Sequence, residues 1–220
     1  MRHFAIELEE LKTKLLQMGG MVEAALHRSV RAVVDRDADL AKKVKEGEAA
    51  INTMEMEIDE LVTKLLVLQQ PVARDLRFLT SVLKINTDLE RMGDLANGLA
   101  KRAQSLMNYP PLKLNIDINH MSSLVESMLL KSLDAFLRED ADLAQQVLLS
   151  DDEVDAIRGA AYGEIIAHMQ SNPADVRAGV ELIFVVRNLE RIGDHATNMA
   201  EGVIYMAKGV DVRHNSKTLV

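Results

Sequence analysis

Two carboxylates four residues apart, Glu90 with Asp94 and again Glu190 with Asp194, are the side chains of this sequence whose types and spacing could do chemistry. They lie in near-copies of one stretch, DLERMGDLANG at 88–98 and NLERIGDHATN at 188–198, which share Leu, Glu, Arg, Gly, Asp and Ala at matching positions. On a helix this spacing puts both acids on one face a turn apart, where like charges cost about a few tenths of a kcal/mol. A single copy would be explained by Arg91 or Arg191, three residues before each Asp, as an ordinary surface ion pair. Repetition of the same repulsion points instead to a cation.

More acids align when the halves are superposed. At a shift of 103 (37 to 140), Glu48 and Asn52 correspond to Asp151 and Asp155, again four apart. Glu55 and Asp59 extend that flank in the first half only, because their counterparts Arg158 and Tyr162 are not carboxylate ligands. Two grooves are therefore expected, one lined by Glu48, Asn52, Glu90 and Asp94, the other by Asp151, Asp155, Glu190 and Asp194. All-oxygen donor sets suit hard cations such as Mg²⁺, Ca²⁺, Mn²⁺ or Fe³⁺. Asn52 is a neutral donor, so the first site should bind less tightly unless Glu55 or Asp59 contributes. Gly93 and Gly193 sit inside the motifs at a cost of about 1 kcal/mol each relative to Ala. Two explanations stand level: a side chain there would obstruct the groove, or the helices pack too closely for one.

The elements that must position these acids are helices. Leu8, Leu11, Leu15, Met18, Val22, Leu26, Val30 and Val33 recur at three- and four-residue intervals, the stripe of one long amphipathic helix. A second stripe runs from Leu40 through Val44, Ile51, Met54, Ile58 and Leu61 to Leu65, with an Asp before it to cap. A third starts near residues 71–75 and buries Val82, Ile85, Leu89, Met92, Ala96 and Leu99. At 100° per residue, Glu90 and Asp94 fall about 155° from that core direction, on an outer face. After residue 108 the helical signal stops, and then the unit repeats: DADLA at 37–41 returns at 140–144, and Asp75, Leu76 and Arg77 return as Asp175, Val176 and Arg177. Asn172 and Pro173 read as a cap and a first-turn proline. Every apolar run is taken as helical in period.

The expected fold is all-α, with two tandem three-helix bundles: residues 1–108, a linker at 109–119, a second bundle at 120–210 and a C-terminal tail at 211–220. Each copy is long enough to close its own core, the two lying side by side.

Composition removes several functions. There is no Cys among the 220 residues, which excludes thiolate zinc sites and cysteine nucleophiles and fits a reducing compartment. A formal net charge of −8 argues against direct nucleic-acid binding. The charged first fourteen residues do not form a signal peptide, and no stretch approaches a membrane span, so a cytoplasmic protein is expected.

The duplicated LER-hydrophobic-GD motif, the DLR that opens the third helix, the MGGM of 18–21 and the DxDLA before the second helix together resemble the PhoU family of bacterial phosphate-uptake regulators. The resemblance covers nearly the whole chain. It implies paired three-helix bundles whose acid-x-x-x-acid motifs hold multinuclear metal clusters, with Fe, Mn, Mg or Zn as the ions, through Glu90, Asp94, Asp151, Asp155, Glu190, Asp194 and Glu48. Asn52 departs from the acidic pattern. It also implies a cytoplasmic homodimer that links the ATP-binding subunit of a phosphate ABC transporter to a sensor histidine kinase, acts negatively when phosphate is plentiful, and meets the membrane only through these partners.

Two other functions compete with this one. A carboxylate-bridged di-metal enzyme needs a Glu-x-x-His pair facing a bundle interior, which the sequence lacks, and no Walker A or nucleophile-elbow motif is present, so no catalytic residues are assigned. A helical scaffold without metal would leave the acids solvated. His195 follows Asp194 where the first copy has Leu95, and is read as solvent-exposed.

Overall fold

The computed structural model describes residues 2–209; the tail assigned to 211–220 lies outside them. Six long helices succeed one another: α1 (Arg2–Val34), α2 (Ala38–Gln69), α3 (Ala73–Leu106), α4 (Ile118–Arg138), α5 (Ala141–Ser171) and α6 (Val176–Lys208), with a 3₁₀ turn, Pro173–Asp175, ahead of α6. Among the described residues there is no strand. Helices α1 to α3 pack on one another, as do α4 to α6. The apolar stripes are the buried faces: Leu11, Leu15, Met18, Val22 and Leu26 on α1, and Val82, Ile85, Leu89, Met92 and Ala96 on α3.

Duplication is visible in the turns. Arg36 ends α1 with φ of 54° and Glu139 ends α4 with the same value, both left-handed. In each case the next residue is an Asp that caps the succeeding helix. The Asp37 carboxylate accepts from the amides of Asp39 at 2.9 Å and Leu40 at 3.0 Å. Asp140 accepts from Asp142 at 3.0 Å and Leu143 at 2.9 Å. Such a cap satisfies amide donors that the first helical turn leaves unpaired.

The two halves do not keep separate cores. One continuous apolar cluster runs through both, because α3 lies along α6 and α1 along α4. Phe78 of α3 stacks on Phe136 of α4 with ring centroids 5.3 Å apart. Where Gly19 of α1 faces α4, an added Cβ would stand 2.4 Å from Leu133 Cδ1, so the absent side chain permits this approach.

Two connections differ in detail from the sequence reading. Asn172 stands at the N-cap position of the 3₁₀ turn with Pro173 in its first turn, as expected, but its side chain makes no cap bond there: the amide donates back to the His168 carbonyl at 3.0 Å, closing α5, and α6 itself starts after Asp175. The connection between halves is non-helical as expected up to Asp117, and it has a period of its own. Leu112, Leu114 and Ile116 alternate inward along an extended segment packed on the core, without strand pairing, and Ile118 continues the alternation as the first residue of α4. Arg36 holds its start through the carbonyls of Leu106 at 2.7 Å and Tyr109 at 2.5 Å.

Candidate metal centre

The groove between α5 and α6 gathers the four acids expected of it. Val154 and Ala161 turn one side of α5 into the core, and Leu189, Ile192 and Gly193 do the same for α6. This rotation leaves Asp151 and Asp155 on the flank of α5 that faces Glu190 and Asp194. Asp155 and Asp194 are exposed, whereas Asp151 and Glu190 are less outward than helix geometry alone suggests, and the Glu190 side chain retains only 13% of its exposure.

Electrostatics register the crowding. Burial, then the charges of Asp194, Asp155, Asp152 and Glu190, pushes the Asp151 carboxyl up from 3.8 to about 6. Glu190 is raised by burial and then by Asp194, against the lowering influence of Arg158. Asp194 is raised by burial and then by Asp155. Asp155, Glu190 and Asp194 thus each act on at least one other of the four, and Asp151 feels all three.

Arg158, one turn beyond Asp155, sits in this groove. Its Nη1 pairs with Glu190 Oε1, and its Nη2 lies 3.2 Å from Asp155 Oδ1, so one guanidinium bridges the acid motifs of both helices. Arg191 has no such bridging role. Among the described residues no three His, Asp or Glu side chains converge as ligands on one point. The donors fit a hard cation in chemistry and charge, since hard cations take carboxylate oxygens, while the pairing with Arg158 is what such an ion must break.

In the first half, α2 and α3 assemble less. Burial and then Asp94 raise Glu90, Arg91 lowers it, and Glu55 is the α2 acid whose charge acts on it. Arg91, exposed and on the same helix as both acids, lies 3.4 Å from Glu90 Oε2 and 3.7 Å from Asp94 Oδ2. Among the described residues no hydrogen bond or ion pair joins Glu48 or Asn52 to these acids; Glu48 is half-buried and Asn52 exposed on α2. Asp59 is engaged elsewhere, accepting from the buried Asn86 amide at 2.9 Å. This donor set fits a cation less well than that of α5 and α6.

Close packing accounts for Gly93, whereas Gly193 leaves room for a methyl group toward the core. A Cβ on Gly93 would lie 3.1 Å from Ile51 Cδ1, and one on Gly193 would meet Met128 and Val154 at 3.7 Å, all core side chains rather than groove atoms. His195 is not solvent-exposed. Its side chain retains 17% exposure and its Nδ1 lies 2.9 Å from Asp88 Oδ1, so it pairs α6 with α3 across the two halves. Sequence reasoning also passes over Arg158 as a groove residue. Its spacing of three from Asp155 is the available signal.

Comparison with known proteins agrees with this architecture. The model of the PhoU domain matches the chain twice, at residues 15–103 and 118–203. A phosphate-specific transport system accessory protein PhoU homolog from Pseudomonas aeruginosa is 42% identical over 214 residues, covering 97% of this chain and 88% of that protein. The crystal structure of PhoU from Pseudomonas aeruginosa superposes with a TM-score of 0.91 at 41% identity, over 94% of this chain and 100% of that one. The structure of the phosphate transport system regulatory protein PhoU from Streptococcus pneumoniae gives a TM-score of 0.88 at 30% identity, over 95% and 99%. Duplicated helices, matched motifs and near-complete coverage together place this chain in the PhoU family.

Proposed function

We propose that this chain is an accessory protein of phosphate uptake, a non-enzymatic adaptor between the ATP-binding subunit of a phosphate ABC transporter and a sensor histidine kinase. It acts negatively, damping uptake and the starvation response when phosphate is plentiful. The observation that carries this reading is similarity along nearly the full length to proteins named for phosphate transport, with both PhoU domains matched. It works as a homodimer in the cytoplasm and reaches the membrane only through its partners; among the described residues no helix is long and apolar enough to cross one.

Metal binding is part of the proposal. Asp151, Asp155, Glu190 and Asp194 would hold a hard cation such as Mg²⁺, Mn²⁺ or Fe³⁺, and Glu90, Asp94, Glu48 and Asn52 a weaker second one, in mononuclear or multinuclear form. The ion would supply positive charge that fastens two helices together. The residues themselves present oxygen donors, and their mutual repulsion is relieved when that charge arrives. Arg158 favours a second reading, a scaffold whose acids are neutralised internally.

Deletion of the gene tests the regulatory reading. Phosphate-starvation genes should be expressed in high phosphate, and the tagged chain should recover the transporter's ATP-binding subunit or the kinase. Normal repression in the deletion strain, with neither partner recovered, rejects it.

A further inference from the structure

The two halves differ most pointedly at one position of their grooves. Where α2 carries Glu55, whose charge acts on Glu90, the aligned residue of α5 is Arg158. Arg158 differs in kind from Arg91, the arginine of the first groove. Arg91 retains 58% exposure and touches only acids of its own helix, whereas Arg158 retains 33% and reaches across to Glu190 while holding Asp155. A guanidinium offers a planar fork of donors matched to carboxylate oxygens, and a cross-helix fork is a structural bond as well as a charge.

The oxygens that Arg158 engages belong to two of the four acids that would hold an ion. We infer that Arg158 is the tethered counter-ion of the α5/α6 carboxylates, occupying the place an incoming hard cation must take and thereby setting the affinity of that site. This rests on the metal reading proposed above. It narrows the advantage that counting acids gives this site over the one on α2 and α3. Four carboxylates on α5 and α6 against a set diluted by Asn52 make the second site the tighter one by donor count, yet among the described residues it is the second site that contains a cross-helix competitor for its own donors. Breaking the Arg158 bonds is a cost that the first groove, with Arg91 at its lip and Glu55 beside Glu90, does not impose in the same form.

The test uses the full chain, stripped with chelator and then dialysed free of it, titrated with Mn²⁺ at neutral pH and melted with and without the ion. Arg158→Gln keeps most of the stem and removes the charge; Arg158→Lys keeps the charge and removes the fork. Arg158→Gln should bind Mn²⁺ at the α5/α6 site roughly tenfold more tightly than the parent. It should also melt lower than the parent without the ion and recover with it. Lysine should fall between the two in affinity, and it carries the comparison should glutamine fail to fold. Equal or weaker binding by both variants, with the parent binding normally, overturns the role of Arg158 and leaves the metal reading intact. No binding by any of the three proteins overturns the metal reading and this inference with it.

Discussion

Asp151→Asn should stabilise the metal-free protein, the opposite of what loss of an ordinary half-buried polar side chain does. The carboxyl is raised from 3.8 to about 6 by burial and by Asp194, Asp155, Asp152 and Glu190. Taken whole, that shift corresponds to a cost of about 3 kcal/mol for holding Asp151 ionised at neutral pH. The groove is partly open to water, which reduces this to about 1–2 kcal/mol. Asparagine is close in shape and carries no charge, so the melting temperature, monitored by circular dichroism at pH 7 in chelator, should rise by about 3–6 °C. The pH dependence has a definite sign. A raised folded-state pKa means that folding takes up a proton, so this group's contribution is full below the ordinary value of 3.8 and is lost as pH climbs through about 6. The parent should therefore be more stable at about pH 5 than at pH 7 in this respect, and the difference should shrink in the variant. Saturating metal should reverse the order, since an ion at a hundred times its dissociation constant adds about 2.7 kcal/mol to the protein that binds it. An Asp151→Asn protein that melts lower in chelator and keeps the parent's pH slope would refute the electrostatic reasoning.

Gly193→Ala should stabilise by about 0.5–1 kcal/mol, because helix propensity favours Ala and the new Cβ meets only ordinary contacts at 3.7 Å; metal binding should be unchanged, and a loss of binding in titration would restore the groove explanation for this glycine. Asp140→Ala should cost about 1 kcal/mol in chemical denaturation through the cap of α5, with Asp37→Ala costing a similar amount at α2. His195→Leu copies the first repeat at that position but leaves Asp88 half-buried without its partner, and should destabilise by about 1–3 kcal/mol. Adding Asp88→Asn should recover part of that loss, and a double variant no better than the single would show that the pair is not coupled.

How much of this can be read from the amino acids depends on the range of the interaction. Helices α1 to α3 derive from stripes confined to each segment and α4 to α6 from repetition of that unit, and the caps at Asp37 and Asp140 from a DxDLA string that repeats. The acids of α5 and α6 are legible as a set for the same reason, since each pair is local and only their mutual approach is tertiary. His195 is misread because a periodicity taken within one repeat assigns only the face that closes that repeat. The packing of α3 along α6 buries a second face and gives His195 a partner in Asp88. Arg158 is discounted because alignment with Glu55 presents it as a lost ligand, while its bond to Glu190 spans two helices whose relative rotation no single stripe specifies. Leu112, Leu114, Ile116 and Ile118 do alternate visibly, but a search for helical period alone does not register them.

Metal content decides the central claim most directly. Protein purified without chelator, and chelator-stripped protein titrated with Mn²⁺, should be compared between the parent and a variant carrying Glu190→Gln together with Asp194→Asn. The carboxylates of α5 and α6 being the ligands, the parent should retain and rebind metal and the variant should lose most of it while keeping its helical spectrum. An unchanged stoichiometry in the variant would contradict the assignment of this groove as the metal centre.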